Sequence, residues 1–194
     1  SAALLSIAEA FRKNEGHQPM NTVVFAAFTG EEEGLYGSKA FVSEFGSWGP
    51  DCEALEEEKK PAEKASRVLL ETGHRAAETA AVRVAKDATV VGAIIMDEIG
   101  WASPDLERHT ATLEGKQLCR GLMDHLSDSS KTHNNAAGGS KLTLLESMNP
   151  FGSDHMPFIS SGKSGVLTIN GDDEKYPEYH KATDTIDHVD PALA

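Results

Sequence analysis

The 194-residue sequence predicts an α/β fold, a three-layer sandwich with a mostly parallel central sheet and helices on both faces. Short apolar, β-branched runs alternate with segments of helical periodicity, the pattern of strands joined by crossover helices. The runs are apolar along their whole length, as strands covered on both faces are. Two of them end in carboxylates, and in such sheets ligands gather at the carboxyl ends of strands.

Residues 2–13 put Ala3, Leu4, Ile7, Ala8 and Phe11 on one face, with Glu9, Arg12 and Lys13 opposite, which predicts an amphipathic helix. This opening has neither the charged start nor the apolar stretch of a signal peptide, and without an initiator Met the chain reads as part of a longer protein. TVVFAAFT at 22–29 is too short for a full helix and predicts a buried strand. A helix opens at Ser38 and runs through Phe45. Residues 47–64 are polar, charge-dense and Pro-bearing, which predicts a surface insertion in a single catalytic domain over 1–194. Residues 62–85 suit one or two helices, with Gly73 as an interruption.

TVVGAIIMDEIGW, at 89–101, predicts a second buried strand ending in an acid. Residues 114–126 place Leu118, Leu122, Met123 and Leu126 on one side of a helix, and 127–141 predict a flexible polar loop. KLTLLE predicts a short strand. A Gly/Pro-bounded loop, a short helix and a last buried strand follow over 150–169, before the loop YPEYHKATDTIDH.

A net charge of −13 and a pI near 5.0 argue against nucleic-acid binding, which needs clustered Lys and Arg. No apolar run is long enough to span a bilayer. Two cysteines, Cys52 and Cys119, make neither a disulfide framework nor a CxxC metal site.

Glu31, Glu32 and Glu33 follow a predicted strand and precede Gly34 and Gly37, so the backbone turns sharply while carboxylates crowd one spot. Three glutamates in a row are ordinarily a solvated face; after a buried strand they can instead divide labour, one as a zinc ligand and another as a general base. Asp97 ends the second strand, with Glu98 beside it, where a turn or cap role competes with a ligand role. Ser153 or Asp154 reads as the N-cap of the helix containing Pro157, and Asp154 also as a residue that orients something in the pocket. His180 follows Tyr179 in a loop that Asp184, Thr185 and Asp187 are placed to order, whereas His17, His74, His109, His125 and His133 have no acidic strand-end company.

FTGEEEGLYGS at 28–38, IMDEIGW at 95–101, GSDHMPFISSG at 152–162 and YHKATDTID at 179–187, in this order, resemble the zinc aminopeptidases with co-catalytic metals, whose relatives include glutamate carboxypeptidases and glutaminyl cyclases. The resemblance implies a zinc exopeptidase fold, peptide substrates and two zinc ions in the intact protein. It implies Glu31 as catalytic base, Glu32 and His180 as ligands of one zinc, and Asp97 as a ligand of the other. Tyr179 is then placed to donate to the oxyanion, with simple packing as the competing role. The family's His-x-Asp motif and bridging Asp are not in this sequence, so the resemblance implies that these residues alone bind zinc weakly and are inactive. Glutaminyl cyclization and a non-catalytic interaction role on the same scaffold stay open beside aminopeptidase activity. Relatives are often secreted or lumenal.

Overall fold

The computed structural model of the chain describes residues 2–14, 19–44, 91–134, 142–190 and 193. The chain divides into two compact units, residues 1–42 with 91–194, and residues 43–90. Beyond Ser43 and Glu44 the second lies outside the described residues, and with it the expected insertion at 47–64 and helices at 62–85.

The described α-helices and strands are α1 (Ala2–Lys13), α2 (Tyr36–Glu44), β1 (Ala93–Met96), β2 (Thr110–Glu114), α3 (Arg120–Asn134), β3 (Thr143–Ser147), α4 (Met156–Ser160) and β4 (Gly165–Asn170). The sheet order is β1-β4-β2-β3. β1 runs parallel to β4 and β2 parallel to β3, while β2 and β4 are antiparallel. The expected α/β class therefore holds: a mostly parallel sheet flanked by helices. The amphipathic α1 and the strands at β1, β3 and β4 form where the sequence predicts them.

β4 lies between β1 and β2, which explains its burial; Val166, Leu167 and Ile169 are all buried. Burial of each such side chain stabilises the fold by roughly 1.5–3 kcal/mol. Leu113 of β2, Cys119, Met123 of α3, Ile159 of α4 and Val166 form one buried cluster, with Leu122, Leu126, Leu144 and Met156 packed against it. Gly165 lets α4 approach the strand: a Cβ there would sit 2.8 Å from the His155 carbonyl oxygen and 2.9 Å from Phe158 Cβ.

Three expectations are corrected. TVVFAAFT is not a strand: residues 22–30 carry no regular secondary structure, and 22–24 are exposed. A strand requires ladder partners as well as composition, and the described strands offer this segment none. β2 lies where no strand was expected; its run TATLE is short and ends in Glu114, but antiparallel pairing to β4 buries Ala111 and Leu113. The expected loop at 127–141 is helical through Asn134, because its polar side chains bond locally or to β3. Thr132 Oγ1 donates to the Asp128 carbonyl, Lys131 pairs with Asp128, and Ser127 Oγ donates to Glu146. Residues 135–141 lie outside the described residues.

Candidate active site

Glu31–Leu35 is a tight turn leading into α2. Gly34 N–H and Leu35 N–H both donate to the Glu31 carbonyl, at 2.9 and 2.8 Å, and Tyr36 N–H donates to Gly30 at 2.9 Å. Gly34 supports the turn at φ +121°. Gly37 allows the start of α2 to touch the incoming chain: its N–H donates to the Thr29 carbonyl, and a Cβ would lie 2.7 Å from Thr29 backbone atoms. Phe28, Phe41 of α2 and Phe158 of α4 pack edge-on or tilted with ring centroids 5.4–6.4 Å apart, tying this turn to α4.

Asp97 follows β1, its N–H donating to Thr168 of β4. Its carboxylate accepts from Glu98 N–H at Oδ1 (2.9 Å) and from Ser153 Oγ at Oδ2 (2.6 Å). The next side chain, Asp154, accepts from Ser38 Oγ at 2.5 Å. The expected capping role of Ser153 and Asp154 is thereby corrected. His155 occupies the N-cap position with no side-chain cap bond, because both preceding side chains are engaged elsewhere. Pro157 opens the helix as expected.

His180 Nε2 lies 2.8 Å from Glu32 Oε1, and the Tyr179 ring stacks on the His180 ring at 3.9 Å. Asp184 orders the same loop by accepting from Tyr176 Oη, and Tyr176 packs on Trp101 at 5.1 Å. Glu98 and His180 hold φ of +44° and +56°. For non-glycine residues this left-handed conformation costs on the order of 1 kcal/mol and marks sites over-determined by their surroundings.

Electrostatics connect all five expected residues. Partial burial raises the Glu31 carboxyl pKa, and Asp97, Glu32 and Asp154 raise it further, against the opposing pull of His180. Burial, then the charge of Asp97 and Asp173, pushes Glu98 up to about 7. Burial raises the Tyr179 phenol, helped by Glu98, Glu32, Asp97 and Glu31. Carboxylates that raise one another's pKa in this way form a place where a cation is stabilised.

The donors fit zinc in kind, since an imidazole nitrogen and a carboxylate oxygen already converge, but they fall short in number. Among the described residues no three His, Cys, Asp or Glu side chains close on one point as a metal site. A catalytic zinc ordinarily takes three protein ligands.

Three residues of this neighbourhood carry no sequence signal of their role. Ser38 is a helix serine by pattern. Asn170 looks like a strand end, yet its buried Oδ1 accepts from Gly100 and Trp101 N–H and fixes the loop after Asp97. His155 is fully buried, and neither ring nitrogen has a hydrogen-bond partner among the described residues; burial lowers its pKa to about 4, with Asp97 opposing.

The profile of peptidase family M28 matches residues 1–194. No curated protein gives a significant match. Two solved structures are similar: the aminopeptidase from Aneurinibacillus sp. strain AM-1, at 18% identity and a TM-score of 0.43, and a zinc aminopeptidase from Bacillus subtilis, at 20% and 0.42. The alignments cover 85% and 84% of this chain but 28% and 30% of those structures, so the chain spans less than a third of their length.

Proposed function

The chain belongs to peptidase family M28, and from that premise we propose that it forms the catalytic part of a zinc-dependent aminopeptidase that releases N-terminal amino acids from peptides. The observation that carries the reading is the meeting of the Glu31–Glu32 turn with His180 across the site, 148 residues apart for the Glu32–His180 pair. On this reading Glu32 and His180 hold one zinc and Asp97 belongs to a second, and 1–194 is one peptidase-like domain carrying an insertion at 47–64.

Bound zinc supplies Lewis acidity that polarises the scissile carbonyl. Glu31 accepts a proton from the attacking water and returns it to the leaving amine. Its raised pKa suits this exchange, because a base nearer neutrality holds and releases the proton more evenly. Tyr179, held against His180, directs its phenol toward the developing oxyanion. The shortage of ligands supports a further part of the reading: these 194 residues alone bind zinc weakly and turn over little.

Zinc content and leucyl-p-nitroanilide hydrolysis test the proposal, on this chain and on a longer one that supplies the His-x-Asp and bridging Asp of the family pattern. About two zincs and turnover in the longer form alone, with Glu31→Gln removing turnover but not metal, are the expected result. Zinc-free protein in both forms would leave a non-catalytic interaction domain. Conversion of an N-terminal Gln peptide to pyroglutamate without hydrolysis would favour a glutaminyl cyclase instead.

A further inference from the structure

Two consecutive side chains of the loop before α4 reach to different halves of the site. Ser153 bonds Asp97, at the end of β1, while Asp154 accepts from Ser38 in the first turns of α2. Both partners of the second bond are buried, Ser38 fully and Asp154 to 8% exposure. Ser38 Oγ also lies 3.2 Å from the carbonyl of Leu35, the residue whose N–H closes the turn on Glu31. A continuous path therefore runs from Asp154 through Ser38 to the backbone that carries Glu31 and Glu32.

We infer that Asp154, acting through Ser38, is the positioning residue for the Glu31–Glu32 turn, setting its place relative to Asp97. The loop that carries Asp154 is a firm reference, because the His155 carbonyl packs against Gly165 of the central strand with no room for a Cβ. Burial disfavours the ionised Asp154, and an apolar side chain would fill the same space without that cost. What the carboxylate adds is a short, directional bond between segments 116 residues apart. Packing alone, through Phe28, Phe41 and Phe158, brings α2 near α4 but leaves its rotation less constrained. The consequence for turnover rests on the reading of Glu31 as general base; the structural coupling does not.

The test is amide hydrogen exchange on the full chain, with wild type, Ser38→Ala, Asp154→Leu, the double variant and Asp154→Asn, which keeps an acceptor for Ser38. Gly34 and Leu35 amides are expected to exchange about tenfold faster in the two single variants that break the bond. The double variant should be no worse than either, Asp154→Asn should stay near wild type, and β4 amides should be unchanged. In the longer, zinc-loaded form kcat should fall about tenfold in the bond-breaking variants with KM within twofold. Unchanged Gly34 and Leu35 exchange overturns the inference. So does equal loss of protection across β4, which would assign Asp154 to general packing. The predicted exchange pattern, beside a longer zinc-supplied form that hydrolyses no peptide, would keep the positioning role and sink the peptidase reading.

Discussion

His180 Nε2 and Glu32 Oε1 stand 2.8 Å apart, with both side chains more than half exposed. An exposed pair of this kind contributes under about 1 kcal/mol to stability, and on the proposed reading the two atoms together serve to hold zinc. Replacing either residue by Ala is expected to weaken zinc binding at least about tenfold while leaving the melting temperature nearly unchanged. Calorimetric zinc titration beside a thermal melt checks this. A large fall in melting temperature with unaltered zinc affinity would make the pair structural.

Glu31→Gln preserves the size of the side chain and the backbone turn whose carbonyl accepts from Gly34 and Leu35. On the proposed reading it removes the proton acceptor. Turnover by the zinc-loaded enzyme should fall about 10²–10⁴-fold, the range typical of a lost general base, with zinc content unchanged. The kcat of purified, metal-analysed protein measures it. Loss of metal together with activity would instead make Glu31 a ligand.

The parts of the candidate site that were legible in the sequence are those where one chemical type recurs after apolar runs. Glu31, Glu32 and Asp97 stand after apolar runs, and Tyr179 and His180 sit in a compact loop. What was hidden depends on pairing between distant segments. Whether TVVFAAFT forms a strand is decided by its neighbours, and β2 by antiparallel contact with β4; neither composition nor period carries that information. Likewise Ser153 and Asp154 carry the pattern of helix caps, but tertiary bonds to Asp97 and Ser38 compete with the local cap and win. Asn170 was invisible because its work is to accept two backbone N–H groups 69 and 70 residues away.

Two titrating groups, half-buried Glu98 and buried His155, give metal-free stability opposite slopes over pH ranges that overlap. Glu98 is raised from 4.5 to about 7, so the folded state binds its proton more tightly than the unfolded chain. Its contribution is complete below about 4.5 and is lost as pH rises through about 7. His155 is lowered from 6.5 to about 4, so its contribution is complete above 6.5 and is lost as pH falls through about 4. Between about pH 4.5 and 6.5 the two slopes oppose each other, so Glu98→Gln should leave stability rising with pH there, and His155→Leu should leave it falling. Urea midpoints for the metal-free chain across pH 4–8 decide both. A Glu98→Gln profile parallel to wild type would remove Glu98 as a cause of the alkaline-side decline.

Gly37 joins the fold to the site at one backbone contact. A Cβ there meets Thr29 N and O at 2.7 Å, closer than side-chain carbons approach backbone, and neither atom belongs to a flexible side chain that can move aside. Gly37→Ala therefore forces α2 away from residues 29–30 and breaks the Gly37 N–H bond to Thr29 or strains it. Forced overpacking of this sort costs about 1–3 kcal/mol. The helix propensity of Ala returns at most about 1 kcal/mol, so the net effect is destabilising. Displacement of α2 also shifts the turn bearing Glu31 and Glu32. Turnover should thus fall more than the folded fraction, a difference that denaturant melts and kcat on the same preparation will resolve. The contrasting control is Gly121→Ala in α3, where a Cβ meets nothing within 4 Å and helix propensity alone should stabilise the chain slightly. If both variants were stabilised alike, close contact at Gly37 would not be what fixes α2 against Thr29.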